Sequence, residues 1–233
     1  MNTVRDNLLT IKSTIQKITE KCERDPNTIE LIAVSKTKPV TLIKQAIDAG
    51  QRSFGENYVQ EGVEKILHFK QTQPNTPLTW HFIGPLQSNK SKLVAEHFDW
   101  MHTINRFKIA QRLNDQRPIS MAKLNVLIQV NISHEASKSG ILPEQVADLA
   151  KQIIALPNLK LRGLMAIPEI ENDFDKQLHV FTKMQELLHY LQADYPFMDT
   201  LSMGMSNDMQ AAIIAGSTMV RIGTAIFGAR QYL

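Results

Sequence analysis

The sequence contains a single cysteine, Cys22, in 233 residues. One thiol can form neither an intrachain disulfide nor a cysteine-based metal cluster, which excludes a disulfide-stabilised secreted scaffold. Long apolar runs are also missing, and none approaches the roughly 18 residues of a membrane span. The opening segment MNTVRDNLLTIKSTIQK carries interspersed charges and lacks the apolar centre of a signal peptide. We therefore expect a cytoplasmic protein in which Cys22 is a buried structural thiol.

A large excess of one charge is missing too. The 26 Lys and Arg residues exceed the 23 Asp and Glu residues by only three, and the basic residues are spread along the chain. Aromatic residues make up only 6% of the sequence. Nucleic-acid binding usually requires a basic patch, often with aromatic side chains on which bases stack. An RNA-binding module is therefore disfavoured, and small anions suit this charge balance better.

What the sequence does contain is a regular alternation of short apolar runs and helical patterns. Eight apolar runs occur, from IELIAVS at residues 29–35 to TMVRIGTAIFG at residues 218–228. This alternation within about 200 residues predicts a parallel α/β sheet closed as a (β/α)8 TIM barrel rather than an open doubly wound sheet. No linker or change of composition divides the chain, so we expect one domain over residues 1–233.

An additional helix precedes the first predicted strand. Its apolar residues recur at alternating spacings of four and three, which places them on one helical face: Val4, Leu8, Ile11, Ile15, Ile18 and Cys22. We expect this helix to cover the outside or the bottom of the barrel.

Ligand sites of such barrels lie at the C-terminal ends of the strands, where the loops into the helices gather. Polar residues or residues with special backbone geometry end each predicted strand, in the order Lys36, Glu56 with Asn57, Gly84, Asn105, Asn131, Pro168, Ser202 with Gly204, and Arg221 with Gly223. We expect these positions to converge on one pocket.

Two of these strand ends indicate a phosphate ligand. In SMGMSNDMQAAIIAG, Ser206 is placed to cap a helix whose first turn contains Asp208, and helix N-termini bind anions. In MVRIGTAIFG, Arg221 is followed by Gly223 and Thr224. Either motif alone could simply turn the chain. Because barrel phosphate sites are commonly built from the loops after strands seven and eight, the two motifs together favour phosphate.

The stretch IELIAVSKTKP places Lys36 at the end of an apolar strand. Burial, together with the charges of Lys38 and Arg221, would lower the pKa of Lys36 from its reference of about 10.4, and its neutral amine could attack an aldehyde. A strand-end lysine that only reaches solvent is the alternative. With the phosphate motifs, the lysine points to pyridoxal 5′-phosphate or to a sugar-phosphate carbonyl. A class I aldolase fits less well, because its Schiff-base lysine is expected on a later strand. Strand six offers only Lys160, which lies at the start of the strand.

Six blocks resemble the signatures of the pyridoxal phosphate homeostasis protein family: LIAVSKTKP, FGENYVQE, WHFIGPLQSNK, LMAIP, LSMGMSNDMQAAI and VRIGTAIFG. The resemblance spans the chain. It implies an alanine racemase-type barrel that binds pyridoxal 5′-phosphate without established turnover and supplies it to apo-enzymes. It also implies a cofactor role for each matching residue: Lys36 as the aldimine lysine, Asn57 lining the site, Ser206, Gly223 and Thr224 around the phosphate, and Arg221 facing the pyridine nitrogen.

The arginine has a chemical consequence. A guanidinium keeps its proton, so Arg221 would leave the pyridine nitrogen unprotonated and the ring a poorer electron sink. Related racemases add a second domain and a partner subunit, as the resemblance implies, and we expect no such domain here because the sequence stops at Leu233. We expect binding without efficient turnover. A racemase or decarboxylase is the alternative, and assays with a panel of amino acids would distinguish the two.

Two histidines, His81 and His102, point into the predicted barrel, but no HExxH motif or cysteine pair accompanies them. We expect hydrogen-bonded barrel histidines and no metal site. The expected partners are pyridoxal phosphate, amino acids and, transiently, apo-enzymes that depend on the cofactor. Neither nucleic acid nor membrane is among them, and we expect a monomer.

Overall fold

The computed structural model describes residues 3–133 and 139–229. Within these ranges the chain forms eight β-strands and nine α-helices. The strands are β1 Glu30–Val34, β2 Ser53–Glu56, β3 Thr79–Phe82, β4 Trp100–Ile104, β5 Leu124–Val130, β6 Leu159–Ala166, β7 Thr200–Ser202 and β8 Met219–Ile222. The helices are α1 Val4–Lys21, α2 Val40–Asp48, α3 Val59–Thr72, α4 Ser91–His97, α5 Phe107–Gln116, α6 Val146–Ile154, α7 Phe174–Gln192, α8 Met209–Ile214 and α9 Thr224–Phe227.

The strands form a closed parallel barrel in chain order, which confirms the predicted fold. Closure occurs between β8 and β1, where Glu30 lies beside Met219 and Ile32 lies beside Arg221. Each crossover places a helix on the outside of the sheet, as parallel strands require. The C-terminal ends of all eight strands therefore open toward one end of the barrel.

The strands separate two apolar regions, because side chains alternate between the two faces of a strand. On β1, Ile32 points into the barrel, while Leu31 and Ala33 pack toward the surrounding helices. Five buried residues form the inner cluster: Ile32, Trp100, Leu127, Met165 and Met219. The larger outer cluster fills the space between sheet and helices. The barrel interior is thus narrow, and it also contains the polar groups described below.

Helix α1 covers the outside of the barrel, where it contacts α2, α8 and α9. Its start is fixed by a capping box in which Thr3 and Asp6 exchange hydrogen bonds. The predicted apolar face is buried at Val4, Leu8, Ile11, Ile15 and Ile18. Cys22 is half-buried rather than buried, because it lies at the C-terminal cap of the helix instead of on its packed face.

The last predicted apolar run divides into two elements. Strand β8 ends at Ile222, and α9 begins at Thr224. Ile226 and Phe227 are therefore buried residues of a helix that contacts α1, and they do not belong to a strand. The described part of the chain contains no helix that is both long and apolar enough to cross a bilayer.

Candidate functional site

Lys36 lies in the turn between β1 and α2, and its side chain is half-buried. The next residue, Thr37, has a φ of 61°, a left-handed conformation that is unfavourable for a β-branched residue. The backbone N–H of Thr37 donates a hydrogen bond of 2.6 Å to Glu61 Oε1. This bond to a carboxylate holds the turn in its strained conformation.

A buried lysine of α3, Lys65, stabilises the same turn. Its Nζ donates hydrogen bonds to the Ser35 carbonyl at 2.7 Å, to Glu56 Oε1 at 2.8 Å and to Glu61 Oε1 at 2.6 Å. The Ser35 hydroxyl also donates to Glu56 Oε1, at 2.6 Å. Burial raises the pKa of Glu56, and the neighbouring Lys65 opposes that effect. The residues on both sides of Lys36 are therefore tied to one ionic cluster.

Lys65 and Glu61 are not among the site residues predicted from the sequence, although the sequence contains one signal for them. Lys65 lies on the apolar face of α3, three residues after Gly62 and four before Phe69, and all three are buried. A lysine is almost never fully buried unless its charge is paired. Its position on an apolar helical face therefore indicates a buried ion pair, and Glu61 at i−4 is within reach.

Lys38, the second lysine of this loop, binds the C-terminal segment. Its Nζ donates to the carbonyl oxygens of Phe227, Gly228 and Ala229 at 3.3, 2.9 and 2.8 Å. An ammonium group at the end of α9 is also favourable for the helix dipole. Lys38 thus links the loop after β1 to the residues that follow α9.

Asn57 follows β2 and is half-buried. Its Oδ1 is a buried acceptor that has no hydrogen-bond partner among the described residues. The backbone of Asn57 is in close contact with Gly84, where a Cβ atom would lie 2.2 Å from the Asn57 carbonyl oxygen. Glycine at position 84 therefore allows the ends of β2 and β3 to approach each other. Asn57, Thr103 and Gln129 line a cavity of about 230 Å³.

The prediction that Ser206 caps α8 is wrong. The helix begins later, with Asp208 at its N-cap, and Ser206 lies exposed in the turn before it. Asp208 Oδ1 accepts a hydrogen bond from the Met205 backbone N–H at 2.5 Å, so the aspartate closes this turn. Gly204 begins the turn with a φ of 97°, which glycine adopts without strain. The hydroxyl of Ser206 remains on the surface at the C-terminal end of β7.

Arg221 lies on β8 and is buried in the barrel interior, with 4% of its surface exposed. Its Nη1 donates to Ser202 Oγ at 2.8 Å, and its Nη2 donates to the Ala166 carbonyl at 3.0 Å. Burial lowers the pKa of Arg221 to about 10, although the charge of Asp208 opposes this shift. The guanidinium is therefore a buried cation at neutral pH, and two of its five N–H donors are engaged in this way.

Gly223 and Thr224 connect β8 to α9. Gly223 is the N-cap of that helix, and Thr224 is its exposed first residue. A Cβ atom at position 223 would lie 3.3 Å from both Cβ and the carbonyl oxygen of Val34. Gly223 therefore lies against the end of β1, two residues before Lys36, and the loops after β8 and β1 are neighbours.

His81 and His102 confirm the prediction of hydrogen-bonded barrel histidines. Both are fully buried, and His81 Nδ1 lies 3.0 Å from His102 Nε2. Burial lowers the pKa of His102 well below its usual value, and the charges of His81 and Arg221 add to this effect. Among the described residues, no group of three or more His, Cys, Asp or Glu side chains is arranged to hold a metal ion.

Comparison with known proteins gives concordant matches. Residues 7–231 match the family described as alanine racemase, N-terminal domain. Curated pyridoxal phosphate homeostasis proteins of Vibrio alginolyticus and Escherichia coli strain K12 are each 60% identical over 232 residues, covering 100% of this chain and 100% and 99% of those proteins.

Solved structures agree with these matches. PipY of Synechococcus elongatus, solved with PLP bound, is similar at a TM-score of 0.83 and 31% identity, covering 97% of this chain and 100% of that one. An alanine racemase of Clostridium difficile is similar at a TM-score of 0.73 and 15% identity, covering 97% of this chain and 59% of the racemase. At that identity the second likeness concerns the fold alone.

Proposed function

This chain belongs to the pyridoxal phosphate homeostasis protein family, and on that premise we propose that it binds pyridoxal 5′-phosphate and supplies it to apo-enzymes. The observation that carries the proposal is Arg221, a buried cation whose guanidinium is oriented by Ser202 and the Ala166 carbonyl. Its hydrogen bonds to these two described residues use two of its five N–H donors, and such a buried guanidinium suits a ligand that brings an acceptor into the barrel mouth. The naming of the 60% identical relatives and the PLP bound to PipY support the same ligand.

The residues at the barrel mouth fit this cofactor chemically. Asn57 Oδ1 is a buried acceptor without a partner among the described residues, and a ligand hydroxyl can satisfy it. Exposed hydroxyls of Ser206 and Thr224 and the backbone at Gly223 offer donors to a phosphate. Lys36 supplies the amine. We propose these residues, with Arg221, as the binding site.

When bound, the cofactor supplies an aldehyde carbonyl that a lysine amine can attack. Lys36 would be the nucleophile, because its turn is held in place on both sides. Lys65 of α3 binds the Ser35 carbonyl, and Glu61 of α3 binds the Thr37 N–H. Arg221 would donate a hydrogen bond toward the ring nitrogen and keep its own proton, since its pKa of about 10 lies well above neutrality. The ring nitrogen would then remain unprotonated. Retention of the cofactor rather than electron withdrawal from a substrate is the chemistry that this arrangement favours.

The proposal extends to the cellular setting. We propose a cytoplasmic monomer with one domain over residues 1–233, which contacts apo-enzymes transiently and accepts amino acids at the site. The single, half-buried Cys22 agrees with a reducing compartment.

Supply of the cofactor to an apo-enzyme can be distinguished from catalytic turnover of amino acids in one mixture. The loaded protein should reactivate an apo-enzyme that depends on pyridoxal phosphate, while it racemises, decarboxylates and transaminates amino acids no faster than the unbound cofactor does. Recipient activity is followed alongside chiral and mass analysis of the amino acids. Stereospecific turnover that disappears in Lys36→Ala would contradict the carrier function and favour an amino-acid racemase or decarboxylase.

The phosphate contact gives a second prediction. Ser206→Ala should weaken binding of pyridoxal 5′-phosphate by about tenfold or more, because a hydrogen bond to a charged group contributes about 1.5–3 kcal/mol. Binding of pyridoxal, which has no phosphate, should change little. Titration of both ligands measures the two affinities, and an equal loss for both would remove Ser206 from the proposed phosphate site.

A further inference from the structure

Five side chains form a continuous series of polar contacts across the barrel interior. Arg221 Nη1 contacts Ser202 Oγ at 2.8 Å, and Ser202 Oγ contacts His102 Nδ1 at 2.9 Å. His102 Nε2 then contacts His81 Nδ1 at 3.0 Å, and His81 Nε2 lies 3.5 Å from Glu30 Oε1. The series begins on β8, near the barrel mouth, and ends at the first residue of β1, at the opposite end of the sheet.

The chemistry of the groups gives this series one direction. A guanidinium can only donate, so Ser202 Oγ accepts from Arg221 and its own proton is available to His102 Nδ1. His102 then carries its proton on Nε2 and donates to His81 Nδ1. His81 in turn carries its proton on Nε2, which faces Glu30. The protons on Ser202 Oγ and His102 Nε2 each lie between one donor and one acceptor.

The opposite direction is disfavoured at both ends. If His102 donated from Nδ1, Ser202 would accept twice and its hydroxyl proton would need another acceptor. A singly protonated His81 would then donate from Nδ1 and present a bare Nε2 lone pair to Glu30. Burial alone would raise the pKa of Glu30, but His81, Ser53 and Arg162 hold it below its usual value, so this carboxyl is an anion. Two acceptors would face each other.

The last contact of the series is the longest. At 3.5 Å it is too long to count as a hydrogen bond, and His81 Nε2 has no hydrogen-bond partner among the described residues. The His81 ring is held by stacking on Trp100, with ring centroids 5.5 Å apart and planes inclined by 17°. Attraction between the N–H dipole and the Glu30 carboxylate therefore completes the series. Its neutral dipoles all point their negative ends toward the Arg221 cation.

We propose that Ser202, His102 and His81 are positioning residues whose one-directional hydrogen-bond series fixes the plane of the Arg221 guanidinium. The Ala166 carbonyl holds the other terminal nitrogen, so both ends of the guanidinium group are anchored. The remaining N–H donors are then held in one orientation toward the ligand. The inference rests on the proposed function in that it assigns Arg221 to the bound cofactor.

Nuclear magnetic resonance of the ligand-free protein tests the direction directly. Long-range correlations from the ring carbon protons to ¹⁵N should show the ring proton of His102 on Nε2, and a proton on Nε2 but none on Nδ1 of His81. A proton on Nδ1 of either ring would overturn the proposal. This measurement does not depend on cofactor binding.

Variants of Ser202 test the positioning. Ser202→Ala removes the donor to His102 Nδ1, so His102 should populate both tautomers, and affinity for pyridoxal 5′-phosphate should fall about tenfold or more. Ser202→Thr keeps a hydroxyl and should restore the single tautomer and most of the affinity. If Ser202→Ala changes neither quantity, the series does not position Arg221.

Ser217→Ala is the matched control. Ser217 is equally buried, and its hydroxyl donates to the Met203 carbonyl at 2.7 Å, outside the series. It should reduce thermal stability without changing the histidine tautomers or the affinity. A similar tautomer change in this control would assign the effect to general loosening of the barrel. Failure of the wild-type protein to bind the cofactor would instead remove the proposed function and leave the tautomer assignment standing.

Discussion

Alanine in place of Lys36 is expected to abolish covalent attachment of pyridoxal 5′-phosphate. In the wild-type protein, borohydride should fix a pyridoxyl group on the peptide that contains Lys36, and visible absorption should change on reduction. Lys36→Ala has no amine at this position, and the neighbouring Lys38 Nζ is bonded to three carbonyls of the C-terminal segment. Spectra before and after reduction, followed by mass mapping, measure the loss.

Lys44→Ala is a suitable control for this experiment. Lys44 lies on α2 and forms an exposed ion pair with Asp48, so its loss should leave the label on Lys36 unchanged. A label on Lys38, or on Lys138, which lies outside the described residues, with Lys36 unmodified would overturn the assignment.

The second large effect is expected at Lys65. Lys65→Met should lower the free energy of unfolding by about 3–5 kcal/mol, because it leaves the buried Glu56 carboxylate without its cation. The same change releases the Ser35 carbonyl and the Glu61 carboxylate that holds Thr37. Cofactor affinity should fall as well, since the turn that carries Lys36 loses its support. Denaturant unfolding and ligand titration measure the two effects.

The pH dependence of this variant has a defined sign. Burial raises the pKa of Glu56, so in acid the carboxyl is neutral and needs no cation. The stability lost in Lys65→Met should therefore be small in acid and grow as pH rises through the pKa of Glu56. Lys65→Met combined with Glu56→Gln should recover part of the loss and most of the pH dependence. A loss that is independent of pH would mean that Glu56 is not the group left unpaired.

The barrel could be predicted because its signal is periodic. Each strand is a short apolar run beside an amphipathic helix, and eight repeats leave few alternatives to a closed barrel. The face of α1 was equally predictable, since five apolar residues recur at helical spacing and all are buried. Local chemistry was less reliable at Ser206. Asp208 occupies the N-cap position of α8, and its side chain closes the preceding turn at Met205 instead of capping the helix.

Contacts between distant segments could not be derived from the sequence. The support of the Lys36 turn depends on Lys65, 30 positions from its partner Ser35, and on a left-handed Thr37 that no local motif indicates. The histidines were expected to be hydrogen-bonded, but their partner Ser202 is 100 positions from His102. Such pairs depend on strand register, which periodicity does not fix to a single residue.

The seam between β8 and β1 has a consequence for the nascent protein. Lys38 meets Phe227 across 189 positions, and the Asn7 side chain donates to the Ile226 carbonyl across 219 positions. During translation, neither contact can form until the final strand has left the ribosomal tunnel. The first seven strands must therefore wait with an open sheet edge, a state in which partly folded chains are prone to aggregate. Because the proposed site combines Lys36 with Arg221, vectorial synthesis completes cofactor binding and barrel closure in the same late step.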